Sequence, residues 1–226
     1  MTISAPARER TRRDTAIFVL VLSLVLLLYN STAQLIPNHT ALYVPLNLAA
    51  ASVLVLVSRR FGLSATELGL ARRQARRGLA FGTAVAVVVG LTLLLATTVP
   101  ELHGLLDDAR VTGIGPGLVA YRALVRIPLG TALFEELAFR GVLLGAWSRL
   151  TNPLRAAAGS SVVFGLWHVR PTIDLFDANA LAQGGPARLG LVVASVVLTA
   201  AAGYLFCLLR LHTRSLLAPF IAHAAI

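Results

Sequence analysis

The chain has 226 residues, of which 57% are hydrophobic and only 13% are charged. A soluble domain has about a quarter charged residues, so this composition excludes an ordinary soluble protein and favours a membrane protein. The net charge of +10 comes entirely from arginine, because the sequence contains no lysine.

Long apolar segments follow one another along the whole chain. Most reach the roughly 17–25 residues that a helix needs to cross the hydrocarbon of a bilayer. We therefore predict an all-α fold, a polytopic transmembrane helix bundle of about seven spans in a single membrane domain of residues 1–226. The fifth predicted span is short, and the last one is interrupted by the end of the sequence. The predicted spans are Ala16–Ile36, Ala41–Val57, Leu79–Val99, Ile127–Trp147, Leu154–Val169, Leu189–Leu211 and Ser215–Ile226.

Arginine is distributed unevenly between the segments that connect these spans. With the N-terminus inside, 14 arginines lie in inner segments and only four (Arg110, Arg122, Arg170 and Arg188) lie in outer segments. This asymmetry follows the positive-inside rule and predicts an inside N-terminus. We expect a multi-pass protein of the cell membrane, in a bacterial inner membrane, with the lipid bilayer rather than nucleic acid as its partner.

The first span also has features of a cleaved signal peptide. Basic residues precede its apolar run, and the small residues Ser31, Thr32 and Ala33 follow it. We expect the span to be retained, because it is long enough to cross the membrane and further apolar segments come after it.

Five glutamate, arginine or histidine side chains are singled out inside the predicted spans, apart from arginines at the span ends. Glu135, Glu136 and Arg140 lie in the fourth span, His168 in the fifth and His223 in the last. A charge at the centre of a membrane helix costs at least about 2.5–3.5 kcal/mol, so such residues usually face a cavity or a partner and serve a function. The alternative is a buried ion-pair cluster that only fixes helix packing.

The spacing of the charged residues predicts that only one of the two glutamates pairs with Arg140. Glu136 and Arg140 are four residues apart, so they lie on one helix face and can form an ion pair. Glu135 is turned by about 100° and needs another partner, a raised pKa or water. A carboxylate in that state is suited to general-base chemistry. Counted along their helices, Glu135, His168 and His223 can meet in the inner-to-middle membrane.

Two further spacings surround these residues. Phe164 precedes His168 by one helical turn, so its ring is expected to cover the imidazole unless it serves only as core. Gly141 and Gly145 form a G-x-x-x-G spacing, which predicts a close helix-packing face.

The ordered set Glu135-Glu136-x-x-x-Arg140, Phe164-x-x-x-His168 and a last-helix His223 resembles the CPBP family. That family includes the type II CAAX prenyl endopeptidases and the bacteriocin-processing or self-immunity (Abi) proteins. The resemblance covers roughly residues 121–226, which we expect to form the catalytic core, whereas residues 15–120 hold three spans and loops that match only in being apolar.

The resemblance implies an intramembrane endopeptidase that hydrolyses a peptide bond near the cytoplasmic face of the membrane. Glu135 would activate water and His168 would hold that water. His223 would stabilise the oxyanion, and Glu136 with Arg140 would support the site. The substrate would be a peptide or a membrane protein, processed in a CAAX-protease-like or peptide-maturation role.

Metal dependence is a separate question. The family is often described as metalloproteases, but this sequence has no H-E-x-x-H motif. We favour a glutamate mechanism without a cofactor. The alternative is a zinc site made by Glu135, His168 and His223.

The family pattern usually continues H-x-x-x-N, with an asparagine amide as a second oxyanion donor. The sequence ends at Ile226, one residue before that position. Loss of one such donor typically costs about 10²–10³ in turnover, so its absence would put activity in doubt.

Two other functions remain as alternatives. A non-catalytic self-immunity or scaffold protein would keep the same fold without hydrolysis. A proton-coupled transporter would also place glutamate and arginine in the membrane, but the sequence shows neither an inverted repeat nor paired broken helices.

Overall fold

The computed structural model of the chain describes residues 5–102, 112–179 and 185–226. Within these ranges the regular structure is helical and no strand occurs, which confirms the predicted all-α fold. Arg110, counted above among the outer arginines, lies outside the described residues.

The described residues form helices of very different lengths. In chain order they are α1 (Ala5–Thr32), α2 (His39–Arg60), α3 (Ala75–Ala96), α4 (Pro116–Trp147), α5 (Pro153–Trp167), α6 (Val169–Ala178), α7 (Gly185–Thr213) and α8 (Leu217–Ala224). Short 3₁₀ turns cover Ala33–Leu35, Arg72–Gln74 and Pro100–Leu102.

Five of these helices, α1, α2, α3, α4 and α7, are long and apolar enough to cross a membrane. The predicted spans Leu154–Val169 and Ser215–Ile226 correspond to α5, with 15 residues, and α8, with 8 residues. At about 1.5 Å per residue, α8 extends about 12 Å, less than half the roughly 30 Å of a hydrocarbon core. The predicted count of about seven spans is therefore not confirmed.

Helix α4 changes its winding along its length. Its segments Arg122–Ala132 and Glu136–Leu143 are π-helical, and the three α-helical residues Leu133–Glu135 lie between them. Pro128 lies within the first π-helical segment and has no backbone N–H to donate. Wide turns of this kind are rare and often occur at functional sites.

The short helix α8 packs against α3 because two glycines of α3 allow the two backbones to approach closely. A Cβ atom at Gly82 would lie 2.9 Å from the backbone oxygen of Ala218, and one at Gly78 would collide with Ser215. Glycine at both positions therefore lets the two backbones come together and fixes α8 inside the bundle.

The loop between α2 and α3, residues 61–71, folds into one end of the bundle. Its Leu63 and Leu68 are fully buried in the main hydrophobic cluster, together with Phe139 and Leu143 of α4. The G-x-x-x-G spacing of α4 packs on this loop rather than on a helix. A Cβ atom at Gly145 would be 3.0 Å from the carbonyl oxygen of Glu67. The expected close packing is present, but its partner is loop backbone.

Two arginines hold the loop in place. Arg149 donates to both carboxylate oxygens of Glu67, from Nε to Oε1 at 2.7 Å and from Nη2 to Oε2 at 3.1 Å. Arg210 donates to the backbone carbonyl oxygens of Thr66 and Glu67 at 3.1 and 2.9 Å. Partial burial raises the pKa of Glu67, but hydrogen bonds from Arg149 and Ser64 outweigh it and lower the pKa to about 2.

We predict that Arg149→Gln lowers the thermal unfolding temperature in detergent at pH 7. A half-exposed ion pair contributes about 1 kcal/mol or less. Because the pKa of Glu67 is depressed in the fold, this contribution is present above its ordinary value of 4.5 and is lost as the pH falls toward about 2. The difference between variant and wild type should shrink over that range.

Arg155→Gln provides the control for this experiment. Arg155 is exposed at the same end of the bundle and makes no ion pair with any described residue. Equal losses of stability in the two variants would contradict a specific role for the Arg149 pair.

Candidate active site

The two glutamates and the arginine of α4 are buried in the centre of the bundle. Glu135 is 5% exposed, and Glu136 and Arg140 are 0% exposed. Helix geometry directs neighbouring residues to different sides, so the two carboxylates meet different partners.

Glu136 accepts hydrogen bonds from two side chains, Arg140 and His223. Its Oε1 atom accepts hydrogen bonds from Arg140 Nη1 at 2.8 Å and from His223 Nδ1 at 2.8 Å. The predicted ion pair between Glu136 and Arg140 is thus present in the structure. The additional bond joins α8 to α4 and, because a carboxylate only accepts, places a proton on His223 Nδ1.

Glu135 is hydrogen-bonded through one carboxylate oxygen and unpaired at the other. Its Oε1 accepts a hydrogen bond from the indole Nε1 of Trp167 at 3.0 Å. Its Oε2 has no hydrogen-bond partner among the described residues and lies 3.8 Å from His223 Nε2. That distance is too long for a direct hydrogen bond. Glu135 is therefore fixed in orientation through Oε1, while its buried Oε2 has no hydrogen-bond partner among the described residues.

His168 lies in the turn between α5 and α6 and is also oriented by the backbone. Its Nδ1 is 2.8 Å from the carbonyl oxygen of Phe164. A carbonyl can only accept, so Nδ1 carries the proton and Nε2 is left for another partner. The ring of Phe164 packs edge-on against the imidazole, with 4.5 Å between ring centroids. Phe164 thus covers His168, as its spacing predicted.

Phe164 also stabilises Arg140 on its other side. The guanidinium carbon of Arg140 lies 3.9 Å from the centroid of the Phe164 ring, within cation–π distance. A Cβ atom at Gly203 of α7 would lie 2.8 Å from the Phe164 ring and 3.2 Å from Arg140 Nη2. The absence of a side chain at Gly203 leaves room for this stack.

Glu135 and His168 both line a cavity of about 340 Å³. Its walls come from the ends of α1 and α2, the middle of α4 and the turn between α5 and α6. His223 is not part of this lining and reaches Glu135 from the other side. The lining residues are Tyr29, Asn30, Ala33, Gln34, His39, Tyr43, Asn47, Arg126, Gly130, Thr131, Phe134, Glu135, Trp167, His168, Arg170, Pro171 and Asp174.

Several residues of this site were not identified from the sequence. Tryptophan is typical of membrane interfaces, but the indole of Trp167 donates a hydrogen bond to Glu135. On α1, Asn30 donates to the backbone carbonyl of Trp167, and Tyr29 donates to Asn47 of α2 at 3.0 Å. Polar residues near helix ends are common in membrane proteins, so the sequence around Tyr29, Asn30 and Asn47 does not mark them as site residues. Trp167 could have been recognised, because it directly precedes the histidine of the F-x-x-x-H spacing.

Residues 118–226 match the family model described as type II CAAX prenyl endopeptidase Rce1-like. Over these residues the chain is similar to that family. No curated protein and no solved structure matched the chain.

The part of the chain that matches the Rce1-like family contains all five titratable or charged residues singled out above. Helices α1, α2 and α3 precede it. Nevertheless α1 and α2 supply part of the cavity wall, including Tyr29, Asn30, Tyr43 and Asn47. The cavity is therefore built jointly by the family-matched half and the N-terminal helices.

In the described part of the chain, no group of three or more His, Cys, Asp or Glu side chains is arranged to hold a metal ion. Glu135, His168 and His223 thus do not fit a preformed three-ligand zinc site.

We predict that Gly203→Ala destabilises the protein by about 1–3 kcal/mol, because the new methyl group displaces the Phe164–Arg140 stack. Gly190→Ala in the same helix is the control, since nothing lies within 4 Å of its Cβ position. That control should be neutral or slightly stabilising, because alanine favours helix. The measurement is thermal unfolding in detergent, and a similar effect of both substitutions would contradict the crowding at Gly203.

Proposed function

We propose that the protein is an intramembrane endopeptidase that hydrolyses a peptide bond with a water activated by Glu135. The observation that carries the proposal is the state of this carboxylate. One oxygen is fixed by Trp167, the other has no partner among the described residues, and both belong to a side chain that lines a cavity. The match of residues 118–226 to a peptidase family model supports the same reaction class.

In the proposed reaction, a water molecule binds between Glu135 and His168. The Oε2 atom of Glu135 removes a proton from this water while its oxygen attacks the carbonyl carbon of the scissile bond. His168 Nε2, whose ring is fixed through Nδ1, accepts the second water proton as a hydrogen bond and orients the nucleophile. Protonated Glu135 then returns its proton to the leaving amine as the C–N bond breaks.

The negative oxygen of the tetrahedral intermediate needs a donor, and we assign this role to His223. Its Nδ1–H is already bound to Glu136, so Nε2 can donate only when the ring carries both protons. Glu136 stabilises that imidazolium by accepting its Nδ1 hydrogen bond, and the same oxygen accepts from Arg140. Such preorganised donors are often the largest single contribution to catalysis of acyl transfer.

Substrates of this enzyme are proposed to be peptides or membrane-protein segments. The proposed mechanism uses no metal, and Glu136, Arg140 and Phe164 act as positioning residues. A non-catalytic self-immunity or scaffold protein is the competing function, and it requires no free oxygen on Glu135.

We predict that Glu135→Gln lowers the cleavage of membrane-anchored peptides in detergent by at least about 10²-fold, because the amide cannot take a proton. The amide oxygen can still accept from Trp167, so folding should be preserved. Each assay is run with and without a chelator. Glu101→Gln, which changes an exposed acid, is the control and should retain wild-type activity.

The outcomes of this assay separate the alternatives. Cleavage that is lost in Glu135→Gln and unaffected by chelator supports the glutamate mechanism. Loss on chelation with recovery in zinc would assign the residues to a metal site. Full activity in Glu135→Gln would refute the proposed base, and no cleavage by wild type would favour the scaffold function.

We further predict that Trp167→Phe lowers kcat by about 10-fold with little change in KM. The substitution removes the indole N–H and leaves Glu135 Oε1 without its donor, and a hydrogen bond to a charged group contributes about 1.5–3 kcal/mol. The control is Trp147→Phe at the C-terminal end of α4, which leaves the hydrogen bond from Trp167 to Glu135 in place. A change confined to KM would indicate that Trp167 binds substrate instead.

A further inference from the structure

The end of α5 leaves backbone carbonyl groups that need hydrogen-bond donors. The last carbonyls of a helix have no intrahelical partner. For the carbonyl of Trp167, the helical donor would be the backbone N–H four residues later. That residue is Pro171, which has no N–H. The carbonyl of Trp167 therefore needs a donor from outside α5 and α6.

Two side chains supply donors at this helix end. Asn30 of α1 donates from Nδ2 to the carbonyl oxygen of Trp167, across 137 positions of the sequence. The backbone N–H of His168 donates to the carbonyl of Gly165 at 3.0 Å. The carbonyl of Phe164 instead accepts from the His168 imidazole, whose Nδ1 lies at 2.8 Å. Asn30 is thus the side-chain contact that holds the peptide unit between Trp167 and His168.

Trp167 connects this helix end to the proposed base. Its indole Nε1 donates to Glu135 Oε1 at 3.0 Å. The carbonyl bound by Asn30 belongs to the peptide unit that leads from Trp167 into His168. A shift of this peptide unit would move the indole relative to Glu135 and rotate the imidazole of His168. One hydrogen bond from α1 therefore acts on both groups that would hold the attacking water, and catalysis depends strongly on such positioning.

Aromatic contacts hold the indole ring of Trp167 but not its backbone. Tyr29 lies beside Asn30 on α1 and stacks on the indole, with 6.3 Å between ring centroids and 21° between ring planes. The hydroxyl of Tyr29 donates to the buried Asn47 of α2 at 3.0 Å. These contacts restrict the tilt of the ring, whereas Asn30 provides the side-chain hydrogen bond to the peptide unit that carries it.

We propose that Asn30 is a positioning residue for peptide hydrolysis and acts through the peptide unit of Trp167. This inference rests on the proposed peptidase function and deepens it. Asn30 precedes residues 118–226, which match the peptidase family model. An N-terminal helix thus contributes to the orientation of the catalytic groups, in addition to forming part of the cavity wall.

Steady-state kinetics test the role of this hydrogen bond. Asn30→Leu keeps a side chain of similar size and removes the donor, so kcat should fall about 5-fold with little change in KM. Asn30→Ala removes the donor without adding bulk and should lower kcat equally. Ser31→Ala is the matched control and should retain wild-type kcat, because its hydroxyl bonds the carbonyl of Leu27 in its own helix. Unchanged kcat in both Asn30 variants, or a change confined to KM, would overturn the inference.

A double substitution tests whether Asn30 acts through Trp167. The Trp167→Phe variant removes the indole N–H that binds Glu135. If both residues act along one path, Asn30→Leu should lower kcat by a smaller factor in the Trp167→Phe background than in the wild type. Equal fold losses in the two backgrounds would show that Asn30 acts independently of the indole and would overturn the proposed route.

Fluorescence tests the same contact without peptidase activity. The chain has two tryptophans, so in the Trp147→Phe background all indole emission comes from Trp167. Asn30→Leu should lower the anisotropy of that emission in detergent, because a less restrained indole moves faster, while Ser31→Ala should leave it unchanged. Unchanged anisotropy in Asn30→Leu would overturn the inference. If the wild type cleaves no substrate, the peptidase proposal fails, and the anisotropy alone decides whether Asn30 fixes Trp167.

Discussion

The buried pair of carboxylates is the constraint on which the rest of the structure depends. Two adjacent glutamates in a membrane helix are costly, because each charge loses its water. The cost at Glu136 is offset by two donors that meet on a single oxygen, Arg140 and His223. Since Arg140 comes from α4 itself and His223 comes from α8, this contact also determines how α8 sits in the bundle.

The same constraint shapes the neighbouring helices. A fully buried guanidinium needs more than one partner, and the ring of Phe164 covers its face at 3.9 Å. Phe164 in turn covers His168 and provides its backbone carbonyl to the imidazole. The packing therefore connects Glu136 to the orientation of His168 through two side chains. A glycine at position 203 of α7 leaves the space that this arrangement occupies.

The sequence was sufficient to predict the helical fold and the contact between Glu136 and Arg140, because hydropathy and four-residue spacing depend on local geometry alone. It could not predict that His223 binds the same oxygen, because that contact joins residues 87 positions apart. The contribution of α1 and α2 to the cavity was missed for the same reason. Tyr29, Asn30 and Asn47 follow no local pattern that distinguishes a cavity wall from a lipid-facing helix end. The packing partner of Gly145 could not be predicted from local spacing either, because it is the backbone of a loop and not a helix.

The two predicted spans that are too short to cross a membrane are the ones that carry the histidines. Helix α5 ends at Trp167, directly before His168, and α8 ends one residue after His223. Backbone that leaves a helix at membrane depth is tolerated only where it is buried in protein or lines a water-filled cavity. A hydrolase in a membrane needs such a cavity, because its second substrate is water. Because these two helices end inside the bundle, the imidazole of His168 lies in the cavity wall and that of His223 lies 3.8 Å from Glu135.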